Sequence, residues 1–438
     1  MNIKEYIGKI KVALSENALL KRLAEAISFG IGGAIGSRAL MLIAGMAVSR
    51  ILNEEAYGQF SFLNTTVTTF VTLSGVGIGA TLTRYVALEK DDSAKASKYI
   101  GTLRLICLAM STIICLVLLV FVDPISIWIN GDTQLSGYLR LTTIAILLSA
   151  LSSIEQSILI GFENYKMSAV VQIVRCASYL IFSVLLSKAF GINGAIVALI
   201  LSHGIQYVIF LVANHKEYAL RGIRPEISFS NEMKGAIVHF TIPAFISSFF
   251  ISPTTWFTNS LLARCAGYVD TAVFSIAYQW MTLLIFIPSQ MSNVRPIYTE
   301  LFAKRDFEKI KKLFLHITGA SILLITPFAI IVMLASQYIL GIYGDGYVHG
   351  YVTLCLMALA AIIFTVQSQI GSLIHAIGKM WLGFAANLLL SINMIGVFYL
   401  LKDQGSVGLA ISYCVAYFIH CIFYYVACSY LLRKKKLN

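Results

Sequence analysis

Arg38, Arg104, Arg140 and Arg175 each interrupt an otherwise apolar run, and Glu155 is the only carboxylate well inside such a run. A guanidinium in this setting has a specific chemistry. Its planar fork binds phosphate oxygens two at a time, and it stays charged where a lysine would titrate. Four cations against one anion leave an excess of positive charge, which suits an anionic headgroup such as a diphosphate and disfavours a neutral or cationic drug. Charges inside a bilayer are costly and face a cavity or a partner. Arg38 sits near the middle of its run, too deep to reach an interface easily. Gly32 and Gly36 precede it at a spacing that lets another helix come close. Arg175 lies roughly 10 Å inside its run at 1.5 Å per residue; its alternative is a structural pair with Glu155. Arg140 and Arg104 are shallow, at opposite ends of their runs. Arg104 is expected to snorkel, and Arg140 divides evenly between interface and cavity. The candidate substrate-binding residues are therefore Arg38, Arg175 and Arg140.

Other polar residues carry less. Asn64, Thr65, Thr66, Thr68 and Thr69 either line a cavity or bond back to their own helix. His203 with Gln206, and His375, read as interhelix hydrogen-bonders rather than proton carriers. The stretch GVGIGA, from Gly75 to Ala80, lies inside a spanning run and marks a close contact or bend. No Walker motif occurs, so direct ATP drive is not expected. Pro243 and Pro253 fall in one run and are the candidate hinge; Pro288 and Pro327 fall in the next two, and the first half of the chain has no mid-span proline. The eight cysteines form no CxxC pair and read as small buried hydrophobes. No metal site and no cofactor is implied.

The elements that hold these residues follow from composition. The 438 residues are 58% hydrophobic and 12% charged, with mean hydropathy +0.80; soluble proteins carry about 25% charged residues. The apolar runs approach the ~20 residues that span a bilayer as helix, rather than the short alternating segments of a barrel. The chain is thus expected to be an all-α integral membrane protein of about twelve transmembrane helices. They lie near 26–49, 60–82, 100–122, 137–160, 168–188, 193–213, 236–260, 271–294, 312–334, 350–374, 380–401 and 407–431. The first run lacks a cleavable signal pattern and is read as a retained helix. Ile3, Ile7, Ile10 and Leu14 recur at helical spacing beside Lys4, Lys9 and Lys11, so the segment before it either lies on the membrane surface or is frayed.

With the N-terminus in the cytoplasm, twenty-five Lys and Arg fall on the cytoplasmic side and four, Arg50, Lys188, Arg264 and Lys402, on the other. That split fixes the expected orientation, with both termini cytoplasmic. It also accounts for the net charge of +12 by contact with anionic membrane lipids, so no nucleic-acid partner is implied.

One offset organises the chain. Arg50 and Arg264, Phe60 and Phe274, and Ser61 and Ser275 are each 214 apart. So are Lys95 and Lys309, Lys98 and Lys312, Lys188 and Lys402, Gly191 and Gly405, and Gly194 and Gly408. Three clusters in one register define two copies of a six-helix unit. Six is even, so both copies enter the membrane the same way: a parallel repeat, with a site expected between the halves near the midplane. The expected layout is a cytoplasmic segment at 1–25, one six-helix lobe at 26–213, a cytoplasmic linker at 214–235, a second lobe at 236–431 and a basic tail at 432–438.

At these residues the chain resembles a known family. SRILNEEAYGQFSF, GINGAIVALILSH and LLARCAGYVDTAVFSIA are similar to turns of the polysaccharide and O-antigen flippases, a branch of the multidrug/oligosaccharidyl-lipid/polysaccharide exporter superfamily. The resemblance implies a V-shaped pair of six-helix lobes in the bacterial cytoplasmic (inner) membrane. These would move an undecaprenyl-diphosphate type of lipid-linked glycan between leaflets by alternating access, beside polysaccharide-assembly proteins. Many relatives carry an acidic residue in the seventh helix where this chain reads Thr258-Asn259, so coupling to an ion through that acid is not carried over. A drug exporter of the same superfamily is the alternative. A polymerase or ligase, and hence an enzyme, is disfavoured: the loop VDPISIWINGDTQLSG is short and lacks His and Arg.

Overall fold

In the computed structural model, residues 18–75, 77–242, 245–246, 249–290, 295–376 and 380–436 are described. Most of the segment before the first span lies outside them, as do Pro243 and the His375 side chain. The described chain is helical almost throughout. In order the helices are α1 (Ala18–Ile51), α2 (Glu54–Gly75), α3 (Ile78–Leu88), α4 (Ser93–Asn130), α5 (Gln134–Gly161), α6 (Tyr165–Arg221), α7 (Asn231–Ala236) and α8 (Ile251–Leu284). Then follow α9 (Phe286–Gln290), α10 (Arg295–Ala303), α11 (Phe307–Leu334), α12 (Ser336–Tyr343), α13 (Tyr351–Ala376), α14 (Met380–Leu400) and α15 (Gly405–Lys436).

Eight of the described helices are long and apolar enough to cross a membrane, nine if α2 and α3 are joined as one bent span. Two continuous helices each hold two passes. A straight helix as long as α6 would measure about 85 Å, far beyond the ~30 Å bilayer core. It breaks at Gly191, whose φ of 58° and ψ of −134° open to glycine alone. α8 breaks likewise at Gly267. α8 is not among those nine, so splitting α6 and adding both arms of α8 gives the twelve-pass, two-lobe arrangement. Lipid-facing positions stay bare and apolar, as at Val120 and Leu323.

The repeat seen in sequence is written in the backbone. Gly405, 214 residues after Gly191, has φ 58° and ψ −132°. Asp92 caps α4 by accepting from the Lys95 amide, and Asp306 caps α11 by accepting from that of Lys309, both at 3.1 Å. The spans are longer than expected from sequence in places. α4 runs on past residue 122, which puts Pro124 inside a helix of the first lobe, near its far end. The second span does not run straight through: it bends by 48° between α2 and α3 at the Gly75–Ala80 stretch.

Packing differs between the two ends of the molecule. At the end away from the linker, one apolar cluster takes residues from both lobes, among them Phe60, Ala195, Phe274 and Tyr413. At the linker end the core divides: Leu82, Leu103 and Ile158 belong to one cluster, Tyr298, Ile310 and Ile374 to another. The lobes are fused at the far end and parted at the linker end, which is a V opening toward the linker. The fused end carries contacts repeated by the 214-residue register. Arg50 Nε donates to the Ile342 carbonyl at 2.6 Å, and Arg264 stacks over Trp128 at 5.0 Å; Trp128 and Ile342 are themselves repeat equivalents. At Gly58 a Cβ would come within 1.8 Å of the Tyr268 carbonyl, so the helices can meet there only through glycine.

Candidate functional site

α1 carries Arg38 and the first arm of α6 carries Arg175. The structure brings both to one cavity of about 550 Å³ in the linker half of the molecule. Its other walls come from the end of α5 and from α8, through Gln156, Gln279 and Thr282. Gly33, which precedes Arg38 by little more than one turn, lies so close to Ala169 that a Cβ would sit 2.6 Å from the alanine's own. That close approach sets α1 against α6 and so aims both guanidinium groups at the same space.

Neither arginine pairs with a carboxylate among the described residues. Arg38 Nη1 donates to the Thr282 carbonyl at 2.8 Å, across the lobe boundary, and its guanidinium lies 4.5 Å from the centre of the Phe286 ring. Arg175 lies within hydrogen-bonding reach of Gln172 Oε1 and Cys176 Sγ, at 3.5 and 3.2 Å. No Asp or Glu is among the described residues that line the cavity. Carbonyl, amide and thiol partners orient a guanidinium without cancelling its charge. Two positive charges therefore face a half-open, partly apolar space, where a bound anion would be attracted more strongly than in water. The Ser37 hydroxyl, on the same wall, is buried with no hydrogen-bond partner among the described residues.

A chain of side-chain amides stands behind Arg175. Gln206 Nε2 donates to Gln172 Oε1 at 3.0 Å, Gln172 Nε2 to Gln156 Oε1 at 3.2 Å, and Gln156 Nε2 to Ser168 Oγ at 3.2 Å. His203 Nδ1 lies 3.4 Å from Gln206 Oε1. The two arms of α6 are thus tied together by Gln206 and Gln172, in keeping with a hydrogen-bonding role for the pair. Gln156 and Gln172 were not singled out in sequence. The available signal was their amide chemistry inside apolar runs, which the adjoining Glu155 overshadowed.

The remaining arginines lie elsewhere. Arg140 Nη2 contacts both carboxylate oxygens of Asp123 at 3.0 and 3.1 Å in an exposed pair, and it lines no cavity with Arg38. Arg104 does not simply snorkel. It forms an ion pair with the buried Glu155, which also accepts from Asn214 Nδ2 at 2.8 Å. Glu155 is therefore committed to Arg104, and the alternative pairing with Arg175 is not the one formed. Pro253 lies in the first turn of α8, where the missing amide proton costs no helical hydrogen bond; a π-helical turn at Ile237–Thr241 precedes it.

A second cavity of about 410 Å³ adjoins the first and shares Met41, Gln279 and Thr282 with it. It lies between the lobes, toward the fused end. Asn64, Thr65, Thr68 and Thr69 line it, whereas Thr66 is buried and accepts from Trp256 Nε1 at 3.0 Å.

A model of the family described as "Polysaccharide biosynthesis protein" matches residues 23–302. The chain is 24% identical to the EPS I polysaccharide export inner membrane protein of Ralstonia nicotianae, over 88% of this chain and 89% of that one. It is 22% identical to the lipid III flippase of Escherichia coli, over 86% and 92%. Among solved structures, the inward-facing form of a multidrug resistance MATE family transporter of the MOP superfamily superposes with a TM-score of 0.76 at 15% identity, covering 91% of this chain and 96% of that one. A MOP superfamily transporter from Pyrococcus furiosus gives 0.69 at 15% identity, covering 95% and 96%. At such identities the structural likeness speaks for the fold.

Proposed function

This chain belongs to the polysaccharide biosynthesis protein family, and from that premise we propose that it is a flippase for a lipid-linked oligosaccharide. The substrate is a glycan on a polyprenyl diphosphate of the undecaprenyl type, carried from the cytoplasmic to the outer leaflet of the inner membrane. The observation that carries the reading is the pairing of Arg38 and Arg175 in one cavity with no carboxylate among its described lining residues. A diphosphate crossing the bilayer needs its charge offset near the midplane, and two guanidinium forks supply that offset without a proton or metal. Arg38 spends one of its five N–H donors on the Thr282 carbonyl, leaving the others for phosphate oxygens. A cavity of this sign disfavours the cationic drugs that a multidrug exporter would carry. Arg140, already paired with Asp123, is left out of the phosphate site.

The lysine and arginine split favours a cytoplasmic linker and cytoplasmic termini, so the V would open inward to receive substrate from the leaflet where it is made. Polysaccharide-assembly proteins of the same membrane are the natural partners. The segment ahead of α8, whose sequence holds Pro243, together with Pro253 in the first turn of α8, is the proposed hinge by which the second lobe changes its tilt.

The test is glycan display at the surface of a host lacking its own flippase, normalised to protein in the membrane. Arg38→Ala and Arg175→Ala are each expected to lower display at least about tenfold, one decade for 1.4 kcal/mol of lost binding. Arg38→Lys, which keeps charge and loses the fork, retains part of it. Normal display by the double alanine variant, at normal protein level, overturns the cationic-site mechanism.

A further inference from the structure

The second cavity has a chemistry of its own. None of the described residues that line it is charged. Thr65, Thr68 and Thr72 fall on one face of α2, and all three face this space. Each spends its hydroxyl proton within the helix: Thr65 donates to the Ser61 carbonyl at 3.0 Å, Thr68 to that of Asn64 at 2.9 Å, and Thr72 to that of Thr68 at 2.8 Å. From the facing helix, Thr255 donates to the Ile251 carbonyl at 3.1 Å, and Thr282, where the two cavities join, to that of Gln279 at 2.8 Å. With its proton so placed, each hydroxyl offers only lone pairs to the cavity. The threonine face is therefore a row of acceptors, while Asn64, Ser252, Ser275 and the tyrosines Tyr57 and Tyr278 add donor-capable groups and aromatic surface to the same cavity.

We infer that this cavity is a glycan subsite that selects uncharged sugars next to the diphosphate. The inference rests on the flippase reading for the identity of the substrate, but its chemistry is independent of the arginines. A neutral sugar presents a ring of hydroxyls, which donate to the threonine face and accept from the amide and hydroxyl groups beside it, and apolar C–H faces, which pack on tyrosine. A uronic acid or other acidic sugar presents a carboxylate, and no described residue lining this cavity carries a positive charge to meet it. Burying it unpaired is costly. Because Met41, Gln279 and Thr282 belong to both cavities, a diphosphate held at Arg38 and Arg175 places the first sugars directly in this one.

The experiment measures binding to the full chain in lipid nanodiscs with three short-chain prenyl diphosphate probes. One is bare, one carries a neutral N-acetylhexosamine disaccharide, and one carries the same disaccharide with a uronic acid. The neutral probe should bind about tenfold more tightly than the bare one, the gain expected of one or two hydrogen bonds. The acidic probe should bind no better than the bare one. Thr65→Val with Thr68→Val preserves shape and should erase the gain from the neutral sugar while leaving bare-probe binding unchanged. Thr65→Ser with Thr68→Ser keeps the hydroxyls and should restore it. The subsite is overturned if the neutral sugar adds no affinity, if the acidic probe binds as tightly as the neutral one, or if the gain survives the valine pair. A neutral probe that binds through the threonines while the bare probe fails to bind would instead overturn the arginine site and leave this inference standing. Binding of none of the three would remove both.

Discussion

Glu155 and Arg104 show what a single residue's surroundings do to its role. Glu155 is 3% exposed, and its carboxylate is held by Arg104 and by the Asn214 amide. The register of 214 puts Thr318 and Gln369 at the same two places in the second lobe. Both are buried, and Gln369 Nε2 reaches the Pro288 carbonyl and Ser321 Oγ, each at 3.4 Å. One lobe solves the position with an ion pair, the other with neutral groups. Removing one partner of a buried pair strands the other, at a cost of about 3–5 kcal/mol. Arg104 is partly open to the surface, so Glu155→Gln should fall at the lower end of that range. Arg104→Thr combined with Glu155→Gln copies the second lobe's solution and should recover most of the loss. Thermal unfolding of the purified variants checks this: a double variant no more stable than Glu155→Gln alone would mean that the pair does more than fill its site. Sequence shows only the depth of Arg104 along its helix, which reads as an interfacial cation. The carboxylate 51 residues away is not shown, because which side of the helix faces which neighbour is a matter of rotation.

At the scale of elements, the breaks matter more than the spans. Gly77 has φ +82° between α2 and α3, and a Cβ there would lie 2.5 Å from the Thr241 carbonyl in the π-helical turn of the other lobe. Thr81 Oγ1 meets Thr241 Oγ1 at 2.7 Å beside it. Two irregular segments, one from each lobe, thus bridge the linker end, where the two cores are otherwise separate and a change of tilt would be felt first. Gly77→Ala should therefore cost about 1–3 kcal/mol in this state through backbone strain alone, with the clash added. The expected result is a lowered unfolding temperature and lowered glycan display. A variant of unchanged stability and display would mean that the contact is not made. The hinge belongs to the same scale. Pro253→Ala loses no helical bond in the first turn of α8, so stability should hold; Pro243→Ala with Pro253→Ala should lower display per molecule in the membrane if chain stiffness there guides the motion. Unchanged display in the double variant would remove this segment as the hinge. At the fused end, Arg50→Ala with Arg264→Ala removes both repeat-related ties. Because those ties hold the V closed at that end, the double variant should favour the opposite opening, read as increased labelling of Ser61→Cys by an impermeant thiol reagent, relative to Ser61→Cys with both arginines kept and with the exposed Cys265 changed to alanine in both.

For the whole molecule the decisive expectation is orientation. Reporter fusions at Arg221, Lys309 and Lys435 should report the cytoplasm, and those at Asn130, Gly344 and Gln404 the outside. A reporter placing Arg221 outside would turn the V over and with it the proposed entry side. Helical spans, their pairing into two lobes and the sign of the intramembrane charge were legible in the sequence, because hydrophobicity, glycine and repeat register are properties of position along the chain. Gly191 and Gly405 carry the same backbone angles because both must reverse a helix in the same way. Sequence alone left open whether Arg175 or Arg104 meets Glu155, whether the threonines of α2 line anything, and where the second span bends. Each depends on how helices are rotated and pressed together, through contacts such as Gly33 against Ala169 and Gly77 against Thr241. Only the tertiary structure decided that Arg38 and Arg175, 137 residues apart in the chain, share one space while Arg140 does not. The physical reason is that apolar helices in lipid pack by close approach and local shape, and the placement of a glycine, rather than the charge it brings together, determines which faces meet.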